Sequence, residues 1–193
     1  MEKQKMVVAS NNAHKLREIA QIFSEYEIIS QRQAGFDAEV EETGTTFEEN
    51  ALIKAWAACK ALGLPVLADD SGLCVDALDG APGVYSARYC GWHGDDQSNR
   101  QMLLKNMEGV ENRTAYFCSS IVLVYPGGKV LTAEGKTYGK ILHAEDGDGG
   151  FGYDPIFFSD DLQKSFGQAT AEEKNGVSHR YRALCVLREK VSK

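Results

Sequence analysis

The chain has 193 residues and a formal net charge of −7, which disfavours a nucleic-acid polymer as a partner because such binders usually present a basic surface. Its 43% apolar and 25% charged residues are typical of a soluble globular protein, and we predict a single domain over residues 1–193. Apolar runs such as residues 121–125 are too short to cross a bilayer, and no signal-peptide core follows Met1. The five cysteines are odd in number and lack C-x-x-C spacing. We therefore expect a cytoplasmic protein without a membrane partner, a disulfide framework or a structural zinc site.

The first predicted elements are a strand and a helix whose start carries a basic residue. Residues 5–9 form a short apolar strand, and apolar side chains then recur at helical spacing. Asn11 or Asn12 can cap this helix, which places Lys15 in its first turn, where a positive charge opposes the helix dipole. A phosphate bound at the helix start would explain this placement, and a solvated lysine beside an ordinary cap is the alternative.

Two acidic segments lie on either side of the next predicted helix. Residues 41–44 (Glu-Glu-Thr-Gly) precede a helix that starts with the capping-box pair Thr46 and Glu49. After the helix, a short strand over residues 66–68 runs into residues 69–72 (Asp-Asp-Ser-Gly). Successive side chains of a strand point to opposite faces, so only one of the two aspartates is expected to face a given cleft.

These carboxylates, with Lys54 of the intervening helix, predict a site for a metal-bound polyphosphate. Mg²⁺ prefers oxygen ligands, commonly one or two carboxylates completed by water and phosphate oxygens. Glu41 or Glu42 could join Asp70 if their loop folds back. The alternatives are a plain turn for residues 69–72, a solvated loop for Glu41 and Glu42, and an exposed helix lysine for Lys54. The clustering of all these groups around one strand–helix unit favours the site, and with it nucleotide hydrolysis.

The second half of the chain completes an α/β pattern. Strand–helix alternation comes first, then a hairpin, then helices, which predicts an α/β domain with a mixed sheet. The predicted elements are a loop over residues 72–94, a helix over 96–107, a strand over 114–125, a turn over 126–128, a strand over 129–133, a strand over 156–158 and a final helix after Ser178.

A glycine-rich loop over residues 147–155 combines backbone freedom with two aromatic rings. The glycines on both sides of Phe151 would let a flat base approach its ring, and stacking of a base is worth about 1–3 kcal/mol. The alternative is a long hairpin loop whose aromatic residues, Tyr153 among them, close the core.

A second basic helix start lies near the end of the sequence. Thr170 and Glu173 form a capping box that opens a short helical turn with Lys174. Ser178 can cap the final helix, so that His179 and Arg180 lie in its first turn, again against the dipole. Two such starts in one chain predict a shared anionic ligand.

Together these segments resemble the inosine triphosphate pyrophosphatases, also called noncanonical purine nucleoside triphosphate pyrophosphatases. The likeness runs from Ser10 to Arg182. The segments that carry it are Ser10-Asn11-Asn12-x-x-Lys15, Glu41-Glu42-Thr43-Gly44-x-Thr46-Phe47-x-Glu49-Asn50-Ala51, Ala68-Asp69-Asp70-Ser71-Gly72-Leu73, Gly80-Ala81-Pro82-Gly83-Val84-Tyr85-Ser86-Ala87-Arg88-Tyr89, Gly149-Gly150-Phe151-Gly152-Tyr153-Asp154-Pro155, and Glu173-Lys174 followed by Ser178-His179-Arg180.

The resemblance implies a magnesium-dependent homodimer that cleaves ITP, dITP and XTP to the monophosphate and pyrophosphate, with the nucleotide in a cleft between two lobes. It assigns Asn12, Lys15 and Lys54 to the phosphates, Glu42 (with Glu41 as the alternative) and Asp70 to Mg²⁺, and Asp70 to the activation of water. The full set of residues it implies for substrate binding is Ser10, Asn11, Asn12, Ala13, His14, Lys15, Ser71, Phe151, Gly152, Tyr153, Asp154, Lys174, His179 and Arg180.

Two other functions stay open at this point. One is a related-fold pyrophosphatase for pyrimidine or methylated nucleotides, and the other is a nucleotide-binding regulator that does not hydrolyse. The stretch over residues 89–93, with Trp92, is expected to form either a dimer interface or a flap over the base. His14 is a departure, since many relatives carry glycine at that position.

Overall fold

The protein is built on a seven-stranded mixed sheet. The computed structural model describes residues 3–91 and 94–192. In chain order the strands are β1 (Gln4–Val8), β2 (Tyr26–Ser30), β3 (Val66–Val75), β4 (Thr114–Val124), β5 (Val130–Ile141), β6 (Phe157–Ser159) and β7 (Lys164–Ser165). Their order in the sheet is β2-β1-β3-β4-β5-β6-β7. Strand β1 is parallel to β2 and β3, whereas β6 is antiparallel to β5 and β7. The predicted α/β class and mixed sheet are confirmed.

Local sequence signals correctly predict several helix ends. The α-helices are α1 (Ala13–Ile22), α2 (Phe47–Leu62), α3 (Asp96–Asn106), α4 (Ala171–Val177) and α5 (His179–Val191). Both predicted capping boxes are present, Thr46 with Glu49 at α2 and Thr170 with Glu173 at α4. Helix α2 ends at Gly63, whose positive φ of 65° is a conformation that glycine adopts at little cost.

The chain divides into two compact units. Unit 1 comprises Met1–Asp70, Ser119–Gly135 and Arg180–Lys193, and unit 2 comprises Ser71–Cys118 and Lys136–His179. Unit 1 is therefore assembled from three separate segments of the chain. The prediction of one domain over residues 1–193 stays a prediction.

Unit 1 buries its part of the sheet on both faces. Met6 and Val8 of β1 pack in a cluster with α1 and α5, while Val7 between them packs in another cluster with α2. This alternation follows from the two-residue period of a strand. On α2 the buried positions Ala51, Ala55 and Ala58 are small, as the helical apolar stripe of the sequence predicts.

Unit 2 has an aromatic core. Phe117 of β4 lies 4.7 Å from Phe157 and 6.1 Å from Phe166, measured between ring centroids. Leu73 and Val75, in the second half of β3, belong to the same buried cluster. The long strands β3, β4 and β5 each contribute residues to both units.

Several predicted boundaries were wrong. Strand β3 continues to Val75 instead of ending at residue 68, and β5 reaches Ile141 instead of residue 133. The predicted loop over residues 72–94 contains the end of β3 and two 3₁₀ turns, Asp76–Leu78 and Gly83–Arg88. Strands β2 and β7 were not predicted, and Ile156 lies in a 3₁₀ turn instead of a strand. We predicted that strands β3 and β5 end where the sequence becomes polar or rich in glycine. They continue further, because strand length depends on pairing with neighbouring strands as well as on composition.

None of the five cysteines, all of which lie within residues 3–91 and 94–192, forms a disulfide; Cys59 and Cys118 are buried and Cys185 is half-buried. Across residues 3–91 and 94–192, no helix is long and apolar enough to span a membrane. Trp92 and His93 lie outside the described residues, so the expectation for residues 89–93 stays a prediction.

Candidate active site

The start of α1 is capped by Asn12. The Asn12 side-chain oxygen accepts hydrogen bonds from the backbone N–H groups of His14 (2.9 Å) and Lys15 (3.3 Å). Ser10 Oγ accepts the N–H of Asn12 at 3.1 Å. Of the two predicted caps, Asn12 is therefore the one that the fold uses, and Lys15 lies in the first helical turn as expected.

Both basic helix starts of unit 1 contact the same carboxylate, that of Asp69. Lys15 Nζ and Arg180 Nε each lie 2.9 Å from Asp69 Oδ2, and Ser119 Oγ donates to Oδ1 at 2.6 Å. Arg180 Nη1 also donates to Glu18 Oε2 at 2.9 Å. The Asp69 side chain is only 1% exposed. The shared anion that two basic helix starts predict is thus supplied, within unit 1, by the protein itself.

Electrostatics keep this buried group ionised. Burial alone would raise the pKa of Asp69, but Lys15 and Arg180 outweigh it and hold that pKa well below its usual range. Burial lowers the pKa of the Lys15 ammonium, and Asp69 opposes that shift. For Arg180, Asp69 and Glu18 outweigh burial and raise the guanidinium pKa.

Asp70 faces a second cluster, built around Lys54. Lys54 Nζ lies 2.8 Å from Glu42 Oε1 and 3.1 Å from Asp70 Oδ1, and it donates to the backbone carbonyl of Asp69 at 3.2 Å. Asp70 Oδ2 is buried and has no hydrogen-bond partner. Of the two candidate glutamates, Glu42 reaches this cluster, while Glu41 is exposed. The side chains of Asp69 and Asp70 have different partners, as expected for neighbours that point to opposite faces of a strand.

The pKa shifts of the second cluster differ in sign from that of Asp69. Burial raises the pKa of Asp70, and the nearby Glu42 carboxylate raises it further, against the opposing effect of Lys54. Burial alone would lower the pKa of Lys54, but Asp70 and Glu42 outweigh it and raise that pKa. Asp70 therefore holds a proton more readily than an ordinary aspartate does.

Helix α2 holds the Glu42 loop in place through its first turn. The Glu49 carboxylate accepts the backbone N–H groups of Thr45 (2.7 Å) and Thr46 (3.2 Å). Asn50 Oδ1, one turn before Lys54, accepts the N–H of Gly44 at 2.8 Å. A Cβ atom at Gly44 would lie 2.7 Å from that oxygen, so only glycine fits there. The acidic loop is thus fixed to the helix that carries Lys54.

In unit 2, the glycine-rich loop presents Phe151. Its ring is 52% exposed, and Lys174 Nζ lies 4.3 Å from the ring centroid, within cation–π range. Lys174 also pairs with Asp154 Oδ2, which accepts the N–H of Phe151 at 2.9 Å. Gly150 has φ +75°, and a Cβ there would lie 2.2 Å from Asp154 Oδ2. Asp154 therefore orients both Lys174 and the loop that carries the aromatic ring.

The neighbouring residues of unit 2 are mostly buried. The Tyr153 hydroxyl donates to the carbonyl of Ser86 at 2.7 Å, and its ring is only 5% exposed, which agrees with the core-closing alternative. The His179 ring is buried and stacks on Phe117, with centroids 5.1 Å apart. The N–H of Gly152 donates to Asp96 Oδ2 at 2.9 Å. Phe151 is thus the exposed aromatic residue of this loop.

A protein-family model matches residues 6–190, and its description is the Ham1 family. The chain belongs to the Ham1 family. It is 48% identical to a dITP/XTP pyrophosphatase of Clostridium perfringens, over 96% of each chain. It is 50% identical to a protein of the same name from Geobacter sulfurreducens, over 96% of this chain and 95% of that one. The solved structure of a Staphylococcus aureus Ham1 protein superposes with a TM-score of 0.92, at 41% identity and 98% coverage of both chains. The family predicted from the sequence motifs is confirmed.

For this Ham1 family member, the structure brings together only some of the residues that the sequence singled out. Glu42, Lys54 and Asp70 meet as expected, whereas Lys15 and Arg180 meet at Asp69 instead. Ser71 follows Asp70 in β3, and Ala13 and His14 are exposed at the start of α1. The roles of these residues toward a substrate stay predictions.

Sequence reasoning missed the roles of three residues of the Asp69 cluster. It placed Asp69 only in an acidic pair, and it gave Glu18 and Ser119 no role. Glu18 lies three residues after Lys15 and so on the same side of α1, a spacing that could have linked it to Lys15. Ser119 carries no local signal, since it lies within an apolar strand.

Proposed function

We propose that this protein hydrolyses ITP, dITP and XTP to the nucleoside monophosphate and pyrophosphate. The observation that carries the proposal is the Glu42–Lys54–Asp70 cluster, in a chain similar over nearly its whole length to relatives named dITP/XTP pyrophosphatase. A regulator that only binds nucleotides would not need two carboxylates and an ammonium held together at low exposure.

Magnesium is the cofactor we propose for this reaction. The residues fit it, because Asp70 Oδ2 is a buried oxygen without a partner and Glu42 supplies a second carboxylate beside it. One or two carboxylates, with phosphate oxygens and water, are a common ligand set for Mg²⁺. When bound, the ion supplies charge neutralisation for the phosphates and lowers the pKa of bound water. Removal of divalent ions by a chelator is expected to abolish turnover, and readdition of Mg²⁺ to restore it.

Three side chains of the protein are proposed to activate water and to bind the phosphates. Asp70 is the proposed general base, placed to accept a proton from the attacking water. Lys15, with the N–H groups at the start of α1, is proposed to bind phosphate oxygens. Lys54 is proposed to add positive charge to the same polyanion.

Recognition of the purine is proposed to depend on unit 2 and on Arg180. The exposed ring of Phe151 is suited to stack on the base. A 6-oxo group accepts hydrogen bonds, so donors such as Lys174 or Arg180 favour hypoxanthine and xanthine over adenine. In unit 1 the Arg180 guanidinium already donates to Asp69 and Glu18.

A substrate panel tests the proposal. Pyrophosphate release is measured with Mg²⁺ and ITP, dITP, XTP, ATP, GTP, and pyrimidine or methylated nucleotides. We expect turnover of the first three, and a loss of at least about 100-fold for Asp70→Asn, in the range typical of a lost general base. Asp160→Asn, an exposed aspartate of unit 2, serves as the matched control and is expected to change nothing. Preference for pyrimidine or methylated substrates, or a loss below tenfold for Asp70→Asn, would contradict the assignment.

We also propose a homodimer in the cytoplasm. The homodimer comes from the family resemblance, and five cysteines that form no disulfide in the structure are consistent with a reducing compartment. Sedimentation of the purified protein tests the dimer, and cell fractionation tests the location.

A further inference from the structure

Lys54 uses its full hydrogen-bonding capacity inside the protein. An ammonium has three N–H donors. In unit 1 they face Glu42 Oε1 (2.8 Å), Asp70 Oδ1 (3.1 Å) and the carbonyl oxygen of Asp69 (3.2 Å). A contact from Lys54 to a phosphate therefore requires that one of these three internal contacts be given up.

The ammonium also occupies the point where the two carboxylates converge. The Lys54 side chain is 16% exposed and those of Glu42 and Asp70 are 27% and 14% exposed, so the three charges interact with little screening by solvent. Without a cation between them, the two carboxylates would repel each other. Lys54 thus neutralises a carboxylate pair that would otherwise attract a free divalent ion.

The protein positions this lysine through the same helix that anchors the acidic loop. Asn50 lies one turn before Lys54 on α2 and holds Gly44, two residues after Glu42. Helix α2 therefore fixes both the side chain of Lys54 and the loop that carries Glu42. The ion pair between Lys54 and Glu42 is therefore held by backbone contacts of the fold.

We propose that Lys54 is a built-in competitor of the metal ion, so that the divalent cation binds tightly only together with the triphosphate. This inference rests on the proposed function and deepens it. In the free protein the ammonium neutralises Glu42 and Asp70. An arriving polyphosphate offers Lys54 a new anion, the ammonium turns to the phosphate oxygens, and the carboxylates become available to the cation.

The donor set supports this order of events. Within the described parts of the chain, no group of three or more His, Cys, Asp or Glu side chains is placed to hold a metal ion. Two carboxylates alone suit an ion that keeps phosphate oxygens among its ligands. Because binding linkage is reciprocal, the metal must then strengthen triphosphate binding by the same factor.

Binding of Mn²⁺ to the nucleotide-free protein tests the competitor role directly. The paramagnetic signal of free Mn²⁺ is titrated for the wild type and for Lys54→Met, Lys54→Arg and Lys60→Met. Lys60 is an exposed lysine near the end of the same helix and provides the matched control. We expect Lys54→Met to bind Mn²⁺ at least about tenfold more tightly than the wild type, within the 5–150-fold range usual for coupled sites. Lys54→Arg, which keeps the charge, and Lys60→Met are expected to bind like the wild type.

Thermal unfolding provides a second readout in case the methionine variant is poorly folded. Because Glu42 and Asp70 then lose the Lys54 ammonium, Lys54→Met is expected to unfold at a lower temperature than the wild type without metal. Millimolar Mn²⁺ is expected to raise its midpoint by more than it raises that of the wild type. Equal Mn²⁺ affinities for Lys54→Met and the wild type, or equal midpoint shifts, would overturn the proposal.

A third measurement separates this inference from the proposed function. A dITP analogue with a methylene bridge between the α- and β-phosphates cannot be cleaved there, and inorganic tripolyphosphate lacks the base. Each is expected to tighten Mn²⁺ binding to the wild type more than to Lys54→Met, after correction for Mn²⁺ held by the free polyphosphate. An equal gain in both proteins contradicts the competitor role even if dITP is hydrolysed. A larger gain in the wild type supports it, and failure to hydrolyse dITP would then count against the proposed function alone.

Discussion

The charged clusters of unit 1 and the glycine-rich loop of unit 2 are built on opposite principles. In unit 1, the lysines predicted to bind phosphate are already paired with carboxylates, Lys15 with the buried Asp69 and Lys54 with the half-buried Asp70. In unit 2, the loop leaves Phe151 half-exposed at a backbone shaped by glycines. In the first region the proposed phosphate-binding lysines form internal ion pairs, whereas the second region exposes an aromatic ring to solvent.

The two regions differ in how closely substrate recognition is coupled to the stability of the fold. A buried ion pair that loses one partner leaves an uncompensated charge, which is strongly destabilising. An exposed ring that is removed costs the fold little. Substitutions in unit 1 should therefore affect folding and function together, whereas substitutions at the tip of the unit 2 loop should affect function with little change in stability.

The largest effect is expected for Asp69→Asn. The change leaves Lys15 and Arg180 beside a neutral amide, and we expect the free energy of unfolding to fall by about 3–5 kcal/mol. Urea denaturation followed by circular dichroism measures it. Ser119→Ala removes only the hydroxyl donor to Asp69 and should cost about 1 kcal/mol. A loss below about 1 kcal/mol for Asp69→Asn would show that the cluster contributes little to stability.

Gly150→Ala should have the next largest effect. Position 150 has φ +75°, and an added Cβ would lie 2.2 Å from Asp154 Oδ2. Backbone strain and the clash with a buried side chain should together lower the free energy of unfolding by about 2–4 kcal/mol. Gly127→Ala is the matched control, because a Cβ there meets open space without positive φ, and it should change stability by less than about 0.5 kcal/mol. Equal stability of the two variants would refute the steric role of Gly150.

The smallest effect on folding is expected for Phe151→Ala. Because the ring is 52% exposed, the free energy of unfolding should change by less than about 0.5 kcal/mol. The loss of stacking should weaken kcat/KM for dITP by about 1–3 kcal/mol, roughly 5–150-fold. Parallel denaturation and steady-state kinetics separate the two quantities. A stability loss as large as that of Asp69→Asn would remove the contrast between the two regions.

Local sequence signals predicted much of the fold, and each success has a local cause. The capping boxes at Thr46 and Thr170 are made by residues three apart, and the cap at Asn12 is made by its own helix. Alternation along a strand correctly separated the partners of Asp69 and Asp70. Motif resemblance correctly identified the family, because six segments in order are far more specific than any single one.

The misses have a common physical origin in contacts between distant parts of the chain. Residues 69–72 have the composition of a turn, yet they continue β3, where Asp69 meets Lys15, Ser119 and Arg180. No local pattern shows that a carboxylate will be neutralised by residues 54 positions before it and 111 positions after it. A sequence can therefore indicate the charged groups of a site, but not how they pair in the resting protein.

The three-part construction of unit 1 has a consequence for synthesis on the ribosome. Arg180, which neutralises Asp69, belongs to the last of its three segments, so the nascent chain carries Asp69 for 111 residues before this partner is made. All residues of unit 2 are translated earlier than Arg180. A polypeptide terminated before that position would lack the guanidinium that pairs with Asp69. Truncated products should thus be targets for proteolysis, not enzymes of reduced activity.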